Sequence, residues 1–210
     1  PIIGWKHEIV ELNYDDIKSF YKTHYEPRNA ILVISGNVNL KKAKKNVKKN
    51  FSKIKNVSMS NFKETLDPDL NSQVFVEKKH PTVKQDIWKK LYRADSYNKS
   101  IKHGIALDLG MKIIAGGTSS LLYDEFVNKK KIFSMVGGFY QGLSRGEGYI
   151  YFYAIPNEKI EPKKIDNLIM EQIKILVKNE LSLKRLETEK KKYFYDSIYR
   201  MDGILKPSEI

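Results

Sequence analysis

NYDDIKSFYKTHYEPRNAILVISGNV, residues Asn13 to Val38, spells out two kinds of secondary structure and the turn between them. Asn13 suits a helix N-cap, and Asp15 and Asp16 follow in the first turn, where carboxylates complement the positive end of the helix dipole. Ile17, Phe20, Tyr21 and Tyr25 recur at helical spacing and predict one apolar face. Pro27 cannot continue that helix, so Glu26-Pro27-Arg28-Asn29 reads as a short turn. Ala30 to Ile34 is an unbroken, β-branched apolar run, which predicts a strand buried on both faces. Ser35-Gly36-Asn37 ends it, and Asn39 caps a further helix.

The chain has 210 residues, enough to bury a core as one large domain or two small ones. No apolar run approaches the ~18 residues of a membrane span, and no signal-peptide pattern opens the chain. Both ends lack domain-boundary features, so an internal fragment of a longer protein is expected. The absence of cysteine removes disulfides, cysteine-zinc sites and thiol chemistry. A net charge of +13 raises the question of nucleic acid, but lysines outnumber arginines 33 to 5. Arginine is the favoured reader of phosphates and bases, so this bias reads as a solvated lysine surface and no nucleic-acid partner is expected.

Residues 40 to 54 set Leu40, Ala43, Val47, Phe51 and Ile54 on one helical stripe, with lysines elsewhere. From Asn56 to Ser72 the chain turns polar and reads as a linker and domain boundary. Strands are expected over Gln73–Lys78 and Val83–Tyr92, then a helix over 99 to 115 with Ile101, Ile105, Leu109, Ile113 and Ile114 on its buried side. Gly116-Gly117 stops it, and Thr118-Ser119-Ser120 opens another helix running to about Lys129. Ile132–Tyr140 and Tyr149–Ile155 read as strands joined through Gly142 to Gly148. In the second of them Tyr149, Tyr151 and Tyr153 share a face, and Ile150, Phe152 and Ala154 share the other. Such an aromatic face could stack bases, but a half-buried sheet face explains it more simply. Two final helices start at Pro162 and after Ser182. The layout is α+β: a mostly antiparallel sheet with helices packed on one face.

Pro1-Ile2-Ile3-Gly4, Tyr25-x-Pro27-x-Asn29 and Gly36-Asn37-Val38, in that order and spacing, resemble the insulinase/pitrilysin family of zinc metallopeptidases, the inverzincins, which includes the mitochondrial processing peptidase. Gly116-Gly117-Thr118-Ser119-Ser120-Leu121-Leu122-Tyr123, then Phe139-Tyr140, Tyr151-x-Tyr153-Ala154-x-Pro156 and the closing Tyr199-x-x-Asp202, extend the likeness over nearly the whole chain. The resemblance implies a LuxS-like or processing-peptidase-like half. Residues 1–57 would close a first α/β domain, 58–72 would link, and 73–210 would form a second, non-catalytic α+β domain, two successive sheet layers in all.

The family's zinc site is H-x-x-E-H, two histidine ligands and a glutamate base on one helix. None of His7, His24, His80 and His103 is followed by Glu and His at that spacing; after His7, for example, stand Val10 and Glu11. The paired carboxylates Asp15/Asp16 and Asp67/Asp69 have sufficient explanations as a helix start and a proline-flanking linker. No catalytic or metal-ligating residue is therefore expected here, and substrate-binding residues stay unassigned. By resemblance, Zn2+ belongs to the parent protein, upstream of Pro1. The family also uses an Arg and a Tyr seven residues apart to steady the substrate carbonyl. Val127 and Ser134 stand at those places in this chain. The expected function is that of a non-catalytic domain of a zinc endopeptidase enclosing peptides or unfolded proteins, inactive alone. The alternative is a catalytically inactive assembly or scaffold subunit of the same family. Expected partners are an upstream catalytic domain of the same chain, a second family subunit in a homo- or heterodimer, and peptide substrate. Bacterial relatives are commonly exported, which points towards the periplasm.

Overall fold

A computed structural model describes residues 6–55 and 71–202. The chain divides into two compact units, Pro1–Asp67 with Ile198–Ile210, and Pro68–Ser197. The expected linker over Asn56–Ser72 lies almost wholly outside the described residues.

The first unit contains helices α1 (Lys6–Glu11), α2 (Tyr14–His24) and α3 (Leu40–Phe51). Asn13 caps α2 as its sequence predicts. Its side-chain oxygen accepts from the amides of Asp15 and Asp16, while the Asp16 carboxylate accepts from the Asn13 amide. A 3-10 turn, Pro27–Asn29, then redirects the chain. Ala30–Ile34 does not form the expected buried strand; it runs without strand pairing, with Ile31 92% exposed. A β-branched apolar run favours an extended backbone, but a strand also needs a neighbour for its amides and carbonyls. No strand of this unit exists among the described residues, so the expected first sheet layer is absent there. The apolar stripe of α2 is correspondingly open, with Ile17, Phe20 and Tyr21 exposed.

The second unit holds the core. Strands β1 (Trp88–Ala94), β2 (Phe133–Gln141) and β3 (Gly148–Pro156) form one antiparallel sheet in the order β1-β3-β2. Helices α4 (Ile101–Ala115), α6 (Pro162–Asn179) and the short α5 (Leu121–Tyr123) pack on one of its faces, and α7 (Leu183–Arg200) follows. The class is therefore α+β, as expected. The earlier expected strand, Gln73–Lys78, is irregular, and the one over Val83–Tyr92 begins only at Trp88. Alternation in those segments matches a pleat, yet only residues from Trp88 onward meet a partner strand, pairing antiparallel with Ala154 and the residues before it, back to Gly148.

Alternation in β3 sorts the sheet faces as predicted. Phe152 and Ala154 point into a core with Trp88, Val136, Phe126 and Phe133, and the rings of the last two lie 5.0 Å apart. Helix α4 meets expectation in its C-terminal half and departs from it in its N-terminal half. Ile101 and Ile105 are 67% and 50% exposed, while Met111, Ile113, Ile114 and Ala115 are buried. Apolar residues occur all around this helix, so spacing alone does not select its inner face. The sheet selects it: a β-carbon at Gly138 would lie 3.0 Å from the Met111 methyl and 2.5 Å from the Tyr151 carbonyl oxygen. The missing side chain lets the helix cross β2 closely.

The helix after Gly117 begins as α5 and continues as a π-helical stretch, Asp124–Lys129, with Phe126 fully buried. Lys131, at a φ of 53°, turns the chain out of it, and its carbonyl accepts from the Asn157 side chain at 2.7 Å. Among the described residues no helix is long and apolar enough to cross a membrane.

Candidate binding surface

Among the described residues of the second unit, the helices packed on the sheet lie on one side of it. On its other face β3 contributes Tyr149, Tyr151 and Tyr153, β2 contributes Met135, Gly137, Phe139 and Gln141, and β1 contributes Lys89, Leu91 and Arg93. The register makes these neighbours: Tyr151 sits opposite both Phe139 and Leu91, and Tyr153 opposite both Gly137 and Lys89. Phe139 links the tyrosines, with ring centroids 6.1 Å from Tyr149 and 5.1 Å from Tyr151; Tyr151 and Tyr153 are 6.1 Å apart. The Tyr153 ring lies over Gly137, filling the space a side chain would take. Phe139 and Leu91 remain 45% and 57% exposed. The signal in the sequence was the parity of Lys89 with Leu91 and of Tyr149 with Tyr151 and Tyr153. Phe139's bridging place depends on the β2–β3 register and was not legible.

Polar contacts on the helix side are structural. Lys90 donates to both Asp166 oxygens, at 2.7 and 2.9 Å, tying β1 to α6. Burial of Lys90 works against its charge, but the bonds to Asp166 and the neighbouring Tyr92 outweigh it and raise the ammonium's pKa. Asp95 receives Lys99 at 2.7 Å and His103 at 3.0 Å, and these hydrogen bonds, Lys99's first, hold its carboxyl below the usual range. Its backbone carbonyl accepts from the Tyr140 hydroxyl. Burial, reinforced by Asp108, pushes the Tyr97 phenol up to about 12.

A cleft of about 330 Å³ opens between α4 and α7 beside β2. Its charges are largely paired. The Tyr193 hydroxyl donates to Asp108, Lys192 lies 2.6 Å from Glu189, and the Lys112 ammonium sits 4.1 Å over the Tyr193 ring. Such pairing holds the cleft walls together and leaves no acid-base couple aimed at a ligand.

The histidines are dispersed. His7 lies on α1, and His24 ends α2 with its ring 4.5 Å from Phe20. The His80 ring bonds Thr82 at 2.8 Å, and His103 bonds Asp95. Among the described residues no group of three or more His, Asp or Glu side chains is placed to hold a metal ion. These residues do not fit a zinc centre. Val127, expected where the family's Arg would stand, sits half-buried in the π-helical stretch and packs on the core. Ser134 donates to the Ile155 carbonyl at 3.2 Å.

Comparison with known proteins places this geometry. Residues 11–193 match the family model described as the peptidase M16 inactive domain. The zinc protease PqqE of Helicobacter pylori is 27% identical over 190 residues, covering 88% of this chain and 41% of that protein. The crystal structure of a protease from Helicobacter pylori superposes with a TM-score of 0.77 at 25% identity, over 99% of this chain and 50% of that one. A peptidase M16 inactive domain from Pseudomonas fluorescens shares the fold, with a TM-score of 0.71 at 14% identity over 90% of this chain and 44% of that one. This chain thus spans half or less of the Helicobacter proteins it matches.

Proposed function

The chain belongs to the M16 peptidase family, within its inactive-domain group, and from that membership we propose that it is the non-catalytic part of a zinc-dependent endopeptidase. In this reading residues 1–57 end a first domain, 58–72 link it, and 73–210 form a wall of the space that encloses peptides or unfolded proteins. Zinc is held by residues outside these 210, in a catalytic domain of the same polypeptide. The observation that carries the reading is the match to the inactive domain over residues 11–193, joined by the likeness to a zinc protease.

The chemistry assigned to this part is confinement. A peptide held in a walled space meets a distant zinc-bound water with less loss of translational freedom, and binding energy gathered away from the cleaved bond can position that bond. The test is cleavage of an unfolded protein by the full-length enzyme. Hydrolysis that stops when a chelator removes zinc, and returns when Zn2+ is restored, is expected. Hydrolysis indifferent to chelator overturns the proposal.

Val127 and Ser134, where the family's Arg and Tyr would stand, favour a second reading, an inactive assembly subunit of the same family. A full-length protein that cleaves nothing and co-purifies stoichiometrically with a family partner decides for it.

A further inference from the structure

We propose that the helix-free face of the β1–β3–β2 sheet docks an extended peptide segment in which aromatic or aliphatic side chains alternate with carboxylates, an inference that rests on the peptide-handling reading above. The aromatic strip is continuous from Tyr149 through Phe139 and Tyr151 to Tyr153, with successive ring centroids no more than 6.1 Å apart. Folding does not consume it, because α4, α5 and α6 pack on the opposite face. None of the three tyrosine hydroxyls has a hydrogen-bond partner among the described residues. A phenol exposed at the end of an apolar ring is suited to a ligand that is apolar in its side chains and polar in its backbone.

Charge chooses the kind of peptide. No strand residue on this face carries a carboxylate. Beside Tyr149, Arg93 is held by Glu147 at 3.4 Å, whereas Lys89, opposite Tyr153, has no ion-pair partner among the described residues. The free ammonium at one end of the strip, in a chain of net charge +13, complements an acidic group on the ligand. Spacing chooses its conformation. Tyr149, Tyr151 and Tyr153 are two residues apart along β3, roughly 7 Å per step, which is the repeat of same-side residues in an extended peptide.

The experiment is fluorescence anisotropy with the full-length protein, a chelator present so that cleavage is off. The probes are a labelled peptide alternating Phe and Glu, its Phe/Lys counterpart, and an oligo(dT) strand. The Phe/Glu peptide should bind best. Tyr151→Ser should weaken it about tenfold, an aromatic contact's range, while Tyr151→Phe retains it. Lys89→Glu, on an exposed edge strand where folding is not at stake, should weaken Phe/Glu about three- to tenfold, as a rim charge does, and improve Phe/Lys. Equal affinity in wild type, Tyr151→Ser and Lys89→Glu overturns the proposal, as does tighter binding of Phe/Lys or of oligo(dT). The cleavage assay reports separately. Cleavage without any dependence of peptide binding on Tyr151 or Lys89 removes this surface alone, and binding as described without cleavage removes the peptidase reading alone.

Discussion

Replacing Gly138 by alanine tests a close approach of β2 to the backbone of β3. The new β-carbon would lie 2.5 Å from a backbone oxygen of β3, which cannot swing aside. A loss of about 1–3 kcal/mol is expected, seen as a lower urea midpoint. Gly137→Ala meets only the tip of the Tyr153 ring, at 2.7 Å, and that side chain can move. It should cost clearly less, and equal losses at the two positions would refute the packing described. Asp95 supplies a pH test. Its folded pKa lies below the ordinary value of 3.8, so its stabilising effect is complete above that value and is lost as pH falls through the lower, folded one. Asp95→Asn should therefore flatten the acid-side fall in melting temperature below about pH 4 and cost stability at neutral pH; an unchanged acid limb would contradict the pairing with Lys99 and His103. At this scale the sequence was informative where a residue acts locally. Asn13 could be assigned as a cap because its bonds reach only to Asp15 and Asp16. Gly138 could not, because its neighbours Met111 and Tyr151 are distant in the chain.

At the scale of elements, α6 was readable in advance and α4 only in its C-terminal half. Ile165, Ile169 and Leu176 recur at helical spacing along α6, and all three are buried. Ile169→Ala, at a fully buried position, should lower stability by about 2–5 kcal/mol, measured by denaturant unfolding; a loss under ~1 kcal/mol would place α6 off the core. In α4 the pattern Ile101, Ile105, Leu109, Ile113 and Ile114 reads as an inner face; Ile113 and Ile114 are buried, but the sheet takes only the C-terminal half of the helix and leaves Ile101 and Ile105 outside. The runs at Ala30–Ile34 and Gln73–Lys78 carry strand composition without strand pairing. Composition governs a backbone's local preference, whereas a ladder needs a partner that no single segment encodes. The hairpin of β2 and β3 succeeded because both partners and their glycine-rich connection are adjacent in sequence.

At the scale of the whole molecule, the family was legible from ordered short motifs spread along the chain, and the match over residues 11–193 agrees. The candidate binding face was legible only in part. Alternation exposed the three tyrosines, but the register that joins Phe139, Leu91 and Lys89 to them is a property of three strands together. In the proposed division of labour this chain walls and holds, while zinc belongs to a centre outside it. The most direct test is the zinc content of the 210-residue chain after equilibrium dialysis against Zn2+, beside a variant with alanine at His7, His24, His80 and His103. The account predicts that both retain the same substoichiometric metal; one tightly held zinc per chain, lost in the variant, would contradict it.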